Sequence, residues 1–217
     1  MQRFAGYLFD LDGTLVDTAP DIGAALNHAL TRSGLTPVDH ALTRHWVGHG
    51  ARVLIEQALA HQNAMEGDVD RLLDRFIEHY ESHIADHSTP YPDVEATLAE
   101  LREAGARLAV VTNKRTTLTH ALFDALGWHE NFDVIVCGDT AARPKPAADP
   151  ALHACAALAL DPGEALFVGD SETDVACARA AGCPVVCVPD GYNHGVAPDA
   201  LGADAVIRSI SHLRSRS

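Results

Sequence analysis

Apolar residues recur along the chain with two different periods, and their order predicts the fold. One short apolar run ends at Phe9, and four more follow in the second half of the chain, at 107–111, 134–137, 165–168 and 185–188. Stretches with helical spacing separate these runs, and they predict helices over 94–104, 116–126, 150–160 and 173–181. Short continuous apolar runs are typical of strands buried on both faces, and strands that alternate with helices form parallel sheets. We therefore predict an α/β fold, a doubly wound, Rossmann-like parallel sheet with helices on both faces.

One long segment interrupts this alternation. Between residues 17 and 88 we find no strand signal, and apolar positions recur at helical spacing over 22–30, 53–59 and 69–84. A crossover between parallel strands is normally far shorter, so we interpret the segment as an inserted helical cap. Closely spaced prolines mark the return of the chain to the core. The predicted domains are a core of residues 1–16 and 90–217 and a cap of residues 17–89.

The charge balance narrows the possible partners. Sixteen Lys and Arg stand against 30 Asp and Glu, a formal net charge of −14 over 217 residues, and 47% of the residues are hydrophobic. A chain this acidic is not expected to bind nucleic acid or an anionic membrane surface. We find neither a signal peptide nor an apolar run long enough to span a bilayer, and we expect a cytoplasmic location.

Five cysteines, an odd number, agree with a reducing compartment. Cys177, Cys183 and Cys187 are close enough in sequence for a soft metal site to be conceivable. The CxxC pairs of a structural zinc site are missing, however, and Cys137 and Cys187 lie inside apolar runs. This pattern favours small buried hydrophobic residues over a zinc site.

Polar side chains follow three of the predicted strands, each at the carboxyl end. Because the carboxyl ends of parallel strands meet along one edge of the sheet, we expect these side chains to lie close together. Taken singly, an acid pair of this kind could close a turn or cap a helix. The residues are Asp10 and Asp12, Thr112 and Asn113, and Asp170 and Asp174.

If these acids lie together at one edge of the sheet, they are interpreted differently. Four carboxylates at one edge repel one another, and they stay ionised at neutral pH only beside a cation. Ligands that are all oxygen, with a phosphate in the shell, favour Mg²⁺ over zinc. Lys145 is a second candidate cation, although alone it would be interpreted as a solvated lysine. Gly13 allows a sharp turn and a close approach of the backbone to a ligand.

Four motifs in this order resemble the haloacid dehalogenase superfamily of phosphotransferases over essentially the whole chain. They are residues 10–14, 112–113, 145–146 and 169–174. The resemblance implies that Asp10 is the nucleophile that takes up the phosphoryl group. It also implies that Asp12 protonates the leaving alkoxide and then activates water.

The same resemblance implies the remaining site residues. Mg²⁺ would bind Asp10, Asp170 and the backbone carbonyl of Asp12, with Asp174 acting through water or from outside the ligand shell. Thr112 and Asn113 would hold phosphate oxygens, with Gly13 close to the substrate. Lys145 would balance the charge on the nucleophile and the phosphoryl group.

Resemblance within the superfamily goes further. Dehalogenases lack the second acid, so Asp12 favours phosphate esters. Residues 17–21, 47–51, 111–114 and 191–195 resemble bacterial enzymes that hydrolyse 2-phosphoglycolate, although the loop after Lys145 lacks one proline that this subfamily often has. The resemblance implies a Mg²⁺-dependent phosphomonoesterase that forms glycolate and phosphate through an aspartyl-phosphate. Its partner would be a small phosphorylated metabolite, and the chain would be a monomer or homodimer.

Several alternatives remain open from the sequence. A related phosphatase could act on a sugar phosphate such as N-acetylmuramic acid 6-phosphate, or on pyrophosphate. A phosphosugar mutase would use the same two aspartates to return the phosphoryl group to its substrate. A phosphate-binding regulatory protein without turnover would have no need of the acid Asp12.

Recognition beyond the phosphoryl group is expected from the cap. Gly48 and Gly50 open a tight loop before a predicted helix, whose N-terminal N–H groups suit a small carboxylate. His49 and Arg52 could add a charged donor. A plain glycine turn beside a surface arginine is the alternative. We predict that His49, Gly50 and Arg52 contribute to substrate binding.

Overall fold

A computed structural model describes residues 3–64 and 68–214 of the chain. Three short stretches lie outside the described residues. They are the first two and the last three residues of the predicted core, and three residues of the predicted cap. Among the described residues, no helix has the length and apolar character needed to cross a membrane. The strands are β1 (Gly6–Phe9), β2 (Val16–Asp17), β3 (Thr89–Pro90), β4 (Arg107–Val111), β5 (Val134–Val136), β6 (Ala165–Gly169), β7 (Val185–Cys187) and β8 (Ala205–Val206).

Helices separate most of these strands along the chain. Short 3₁₀ turns occur at His129–Asn131, Pro162–Glu164, Pro198–Ala200 and Ile210–Leu213. The α-helices are α1 (Ala19–Arg32), α2 (His40–Trp46), α3 (Ala51–His61), α4 (Val69–Ser82), α5 (Val94–Glu103), α6 (Thr116–Leu126), α7 (Asp149–Ala157) and α8 (Glu172–Ala181).

A parallel sheet of six strands forms the centre of the molecule, in the order β5-β4-β1-β6-β7-β8. Side chains alternate across β1, so Tyr7 and Phe9 pack on one face and Leu8 on the other. Leu98 of α5 and Phe123 of α6 join the first cluster, whereas α7 and α8 cover the opposite face. Both faces are therefore buried, and the predicted doubly wound α/β fold is confirmed.

The predicted core elements agree with the structure to within a few residues. Strand 107–111 and helix 116–126 have the observed bounds. The helix predicted over 150–160 ends earlier, at Ala157, because Ala159 adopts a left-handed conformation with φ 53°. Strand β8 is not predicted from the sequence, because its two residues are too few to give a periodic pattern.

The described residues of the predicted cap form four helices rather than three. Helix α1 packs against α2 and α4, and α3 packs against α2 and α4. The sequence gives no signal for α2, because its buried side chains are only Thr43 and Trp46. We keep the name cap for residues 17–89; the boundary between the two domains stays a prediction.

The chain leaves and re-enters the core at one place. Strands β2 and β3 pair antiparallel there, with Val16 opposite Pro90, so the first residue of the predicted cap lies in a strand and not in a helix. The buried carboxylate of Asp21 adds to this junction. It accepts hydrogen bonds from the backbone N–H groups of His87 and Ser88, at 3.0 and 2.7 Å, and from the Ser88 hydroxyl at 2.6 Å.

All five cysteines are buried and none forms a disulfide. Cys137 and Cys187 are 2% and 0% exposed, as predicted for small residues inside apolar runs. The sulfur atoms of Cys155 and Cys183 lie 3.9 Å apart, too far for a disulfide bond.

Candidate active site

The site lies at the centre of the sheet, where β1 runs between β4 and β6. Asp10 follows β1, Thr112 follows β4 and Asp170 follows β6, so all three lie at the carboxyl edge. Parallel register brings them there, because hydrogen bonds align Phe9 with Val110 and Val168. This is the position where a parallel sheet changes the direction of its strand order and opens a crevice.

Lys145 joins two of the acids. Its ammonium lies 2.7 Å from Asp10 Oδ1 and 2.6 Å from Asp174 Oδ1, and its side chain is 2% exposed. The backbone N–H of Lys145 also donates to the side-chain oxygen of Asn113 at 2.9 Å. A lysine this deeply buried is stable only when carboxylates compensate for the loss of hydration.

Asp174 is held by the first turn of α8. Its second oxygen accepts the Ser171 hydroxyl at 2.7 Å and the backbone N–H groups of Asp170 and Ser171 at 3.1 Å. This is a capping box, in which the residue at N3 bonds back to the start of the helix. Both oxygens of Asp174 are therefore engaged, one by the helix start and one by Lys145.

Asp170 is fixed from two sides. Its Oδ1 accepts the Thr14 hydroxyl at 2.7 Å, and its Oδ2 accepts the backbone N–H of Tyr192 at 2.5 Å. Gly13 adopts φ 91°, and a Cβ atom there would collide with Asp170 and press on Tyr192. Glycine is needed at this position because the backbone passes directly over the carboxylate. The role of Gly13 in substrate binding stays a prediction.

The electrostatics of the acid cluster follow from its burial. Burial raises the pKa of Asp10 well above its usual range, and although Lys145 offsets part of this effect, Asp174 and Asp170 add to it. Burial, with repulsion from Asp174, raises the pKa of Asp170 to about 7. For Lys145, burial alone would lower the pKa, but Asp10 and Asp174 outweigh it and the pKa rises. One ammonium therefore faces three carboxylates.

These three carboxylates fit a divalent cation. One oxygen each from Asp10, Asp170 and Asp174 lie within 4.8 Å of one another. Among residues 3–64 and 68–214, no other group of three or more His, Cys, Asp or Glu side chains is close enough to hold a metal ion. An all-oxygen donor set with excess negative charge suits a hard cation.

Asp12 points away from this group, toward the cap. Its Oδ1 accepts the Thr18 hydroxyl at 2.7 Å and the Lys114 ammonium at 2.9 Å. The same ammonium donates to the Tyr80 hydroxyl at 2.7 Å. The acid two residues after Asp10 is thus held between the core and the cap helices.

A cleft of about 530 Å³, including its mouth, opens over Asp10 and Asp12. Its walls combine polar core residues with mainly apolar cap residues, so it is suited to a small ligand with one strongly polar end. The other core residues that line it are Thr112, Asn113, Lys114, Arg115 and Leu118, and the cap residues are Ile22, Val47, Gly48, Gly50, Ala51, Leu54, Phe76 and Tyr80.

Asn113 joins the cap to the core. Its amide nitrogen donates to the backbone oxygens of Gly48 and Lys145, both at 3.1 Å. The Asn113 side chain, which the sequence predicts to bind phosphate, therefore forms hydrogen bonds with two loops in this structure. Thr112 lies on the cleft wall, and its hydroxyl accepts the backbone N–H of Lys114 at 3.1 Å. Phosphate contacts of both residues stay predictions.

The structure brings part of the predicted cap loop to the site. Gly50 lines the cleft, and the loop faces the core. His49 lies beside it, with Nδ1 3.4 Å from the Thr173 hydroxyl and its ring stacked on His194 at 4.5 Å. Burial and the neighbouring His194 lower the pKa of His49. Arg52 is half exposed and pairs with Asp70, so the structure does not bring its guanidinium to the cleft.

Two residues at the site are missing from the sequence prediction. Lys114 directly follows the predicted pair Thr112 and Asn113 and lies in the stretch 111–114 that carries the resemblance, so both its position and that stretch could have identified it. Tyr192 contacts Asp170 through its backbone and Asp17 through its hydroxyl. The sequence pattern around Tyr192 does not predict these contacts, because they depend on how the loop after β7 folds back.

Comparisons with known proteins agree with this geometry. Residues 7–188 match the model of the haloacid dehalogenase-like hydrolase family. A phosphoglycolate phosphatase from Chromobacterium violaceum is 41% identical over 216 residues, 98% of this chain and 96% of that protein. One from Mesorhizobium japonicum is 47% identical over 190 residues, 85% of this chain and 82% of that protein.

A solved structure gives the same result. The crystal structure of a predicted phosphoglycolate phosphatase from Haemophilus somnus has a TM-score of 0.92 at 32% identity, and the match covers 98% of this chain and 97% of that one. Since the family model spans most of the chain and the relatives match nearly all of it, the chain belongs to the haloacid dehalogenase-like hydrolases and is a phosphoric monoester hydrolase.

Proposed function

We propose that the protein hydrolyses 2-phosphoglycolate to glycolate and phosphate, with Mg²⁺ as cofactor and an aspartyl-phosphate on Asp10 as intermediate. The observation that carries this proposal is the buried Lys145, which bridges Asp10 and Asp174 at 2.7 and 2.6 Å beside Asp170. Such a group fixes one positive charge beside a carboxylate that opens onto a cleft. Phosphoryl transfer needs this combination of a positioned nucleophile and charge compensation.

In the first step, a carboxylate oxygen of Asp10 attacks phosphorus, and the bond between phosphorus and the ester oxygen of the substrate breaks. Asp12 gives a proton to that oxygen, so glycolate leaves as an alcohol. In the second step, Asp12 takes a proton from water, which attacks the phosphorus of the acyl phosphate and releases phosphate from Asp10. Lys145 remains beside Asp10 and balances its charge in both steps.

Asp10 and Asp170 would hold Mg²⁺, which supplies charge neutralisation for the transferring phosphoryl group. The excess of carboxylates over Lys145 supports this assignment, because the cluster needs a further cation to stay ionised. Asp174 accepts the Lys145 ammonium on one oxygen and three hydrogen bonds from the start of α8 on the other, whereas each oxygen of Asp170 accepts a single hydrogen bond and keeps a lone pair for the cation. This supports a role for Asp174 outside the ligand shell.

The cleft supports a small substrate with a carboxylate. Once the phosphoryl group lies at Asp10, the remaining part of the substrate faces the walls formed by Lys114, Arg115 and the cap loop at Gly50. The Lys114 side chain is 3% exposed, and a buried ammonium can form a strong charge-assisted hydrogen bond with a substrate carboxylate.

The free, buried thiols of the chain are compatible with a cytoplasmic location.

A phosphate-release screen tests the proposal. The purified protein is incubated with 2-phosphoglycolate, N-acetylmuramic acid 6-phosphate, other sugar phosphates and pyrophosphate, with and without Mg²⁺. We expect the highest kcat/KM for 2-phosphoglycolate and only in the presence of Mg²⁺. A higher value for a sugar phosphate or pyrophosphate would assign the enzyme to that substrate instead. Isomerisation of a sugar phosphate without phosphate release would identify a mutase.

A further inference from the structure

Helix α1 begins without a cap from its own residues. Thr18 occupies the N-cap position, where a threonine hydroxyl ordinarily accepts an N–H group from the first turn. Here the Thr18 hydroxyl donates to Asp12 Oδ1 instead, at 2.7 Å. The start of α1 therefore needs a hydrogen-bond acceptor from elsewhere in the chain.

Tyr192, in the loop after β7, supplies that acceptor. Its hydroxyl accepts the N–H groups of Thr18 at 2.8 Å and Ala19 at 2.9 Å, and donates to Asp17 Oδ1 at 2.6 Å. A phenol hydroxyl has one proton to donate and two lone pairs, so all its hydrogen-bonding capacity is used. The side chain is 3% exposed, which makes each of these bonds costly to lose.

The same residue contacts both sides of the site. Its backbone N–H donates to Asp170 Oδ2 at 2.5 Å, while the Arg44 guanidinium of α2 lies 4.8 Å from the centre of its ring. Arg44 also pairs with Asp17 at 2.8 Å, next to the phenol hydroxyl. Tyr192 therefore links the carboxylate after β6 to the point where the chain enters the cap.

We propose that Tyr192 is a positioning residue for Asp12. By accepting the backbone N–H groups of Thr18 and Ala19, its hydroxyl fixes the backbone of the residue whose side chain holds the Asp12 carboxylate. The proposal rests on the proposed function for the proton-transfer role of Asp12. The hydroxyl and the backbone N–H serve different partners, so Tyr192→Phe disrupts the contacts to α1 and leaves the N–H bond to Asp170 in place.

This division of contacts predicts a specific kinetic defect. An alkoxide leaving group needs a proton from Asp12, whereas p-nitrophenolate leaves without one. In Tyr192→Phe, the rate of leaving-group release in the first turnover should fall about tenfold with 2-phosphoglycolate and less than about threefold with p-nitrophenyl phosphate, whereas the second step, which also uses Asp12, is common to both esters. KM should change little for either ester, because no group that binds the phosphoryl moiety is altered.

The experiment combines these kinetics with hydrogen–deuterium exchange of the metal-free protein. Tyr91→Phe is the matched control, because the Tyr91 hydroxyl donates to the Asp190 backbone oxygen at 3.3 Å and contacts Arg44, so this variant alters the same surroundings without removing an acceptor from α1. We expect faster amide exchange at Thr18 and Ala19 in Tyr192→Phe and unchanged exchange in Tyr91→Phe. Unchanged exchange in Tyr192→Phe, or an equal loss of the first-turnover rate on both esters, would overturn the proposal.

A second variant keeps the test decisive if Tyr192→Phe does not fold. Thr18→Val removes the hydrogen bond to Asp12 and leaves the tyrosine in place. It should give the same selective loss on 2-phosphoglycolate, and full kcat in this variant would break the link from Tyr192 to Asp12. Absence of turnover in the wild-type protein on both esters would instead overturn the proposed function, an outcome distinct from a variant that behaves like wild type.

Discussion

The ammonium of Lys114 lies 2.9 Å from Asp12 Oδ1 and bridges it to the Tyr80 hydroxyl of α4. The two charged side chains are 3% and 12% exposed, so the pair lies at the base of the cleft, shielded from water. Asp12 and Tyr80 accept two of the three hydrogens that the ammonium can donate, and one remains. Lys114 can therefore pair with the part of a substrate that lies beyond the phosphoryl group.

Replacement of Lys114 by methionine should impair recognition of the substrate carboxylate. We expect kcat/KM for 2-phosphoglycolate to fall about 10- to 100-fold, the equivalent of one hydrogen bond to a charged group. The loss should be several times smaller for p-nitrophenyl phosphate, which has no carboxylate.

Arg52→Ala is the matched control for this experiment. Its guanidinium pairs with Asp70 at the surface, so its removal should change kcat/KM less than about twofold on either ester. Equal losses on both esters in Lys114→Met would assign Lys114 to Asp12 alone. A loss of kcat/KM in Arg52→Ala on 2-phosphoglycolate but not on p-nitrophenyl phosphate would instead support the substrate-binding role that the sequence predicts for Arg52.

Asp10→Asn should abolish turnover while the fold survives. The amide has the shape of the carboxylate but cannot form the acyl phosphate, and Lys145 keeps its partner Asp174 at 2.6 Å. We expect phosphate release to fall by about 10⁴-fold or more, with the melting temperature of the protein largely retained. The measurements are steady-state phosphate release and thermal denaturation. Covalent labelling of the variant by substrate phosphate would contradict the assignment of the nucleophile.

Asp12→Asn should separate the two classes of leaving group. The variant lacks the proton donor, so kcat for 2-phosphoglycolate should fall about 100-fold or more. A burst of p-nitrophenolate from p-nitrophenyl phosphate should persist, because that leaving group needs no proton and the acyl phosphate then accumulates. Rapid-mixing absorbance at one enzyme equivalent measures the burst. Loss of the burst together with steady-state turnover would argue against proton transfer by Asp12.

Removal of divalent cations should stop turnover. With EDTA, three buried carboxylates face Lys145 alone, and the phosphoryl group meets uncompensated negative charge. We expect Mg²⁺ to restore activity better than Ca²⁺, which accepts looser geometry with more ligands and would misplace the nucleophile. Phosphate release after addition of each cation measures this. Full activity in EDTA would remove the metal from the mechanism.

The sequence predicts those parts of the fold and site that depend on local pattern. Strands such as β4 are continuous apolar runs, and the rule that parallel strands end at one edge is enough to bring Asp10 near Asp170. Helix α2 gives no such pattern, because Trp46 is its single large buried side chain. Strands β2 and β8 are too short to show any period.

Other contacts cannot be predicted because they depend on the packing of distant segments. The side chain of Tyr192 reaches the start of α1 across more than 170 positions in the sequence. Arg52 lies on the helix that the glycine loop opens, but the rotation of α3 about its axis turns it toward Asp70. The sequence contains the residue types but no information on that rotation.

A stacked group of histidines on the cap makes stability depend on pH. The ring of His79 stacks on that of His28 on α1 at 4.1 Å and lies tilted, 4.3 Å from that of His83, the residue that follows α4. Burial and the two neighbouring histidines lower the pKa of His79, and the more distant Asp86 offsets only part of this effect. Arg32 and Arg75 line the same surface cavity and Glu78 is the acid among its lining residues.

The sign of the effect follows from the two pKa values. In the unfolded chain His79 binds a proton near pH 6.5, whereas the folded protein binds it only at lower pH. Stability is therefore unaffected well above pH 6.5 and falls as the pH drops through that value. We expect the melting temperature of His79→Gln to decrease less between pH 8 and pH 5 than that of the wild type. His153→Gln, which alters an exposed histidine of α7, is the control and should follow the wild type. If His79→Gln also follows the wild type, the stacked histidines do not contribute to acid sensitivity, and the fall must come from other groups.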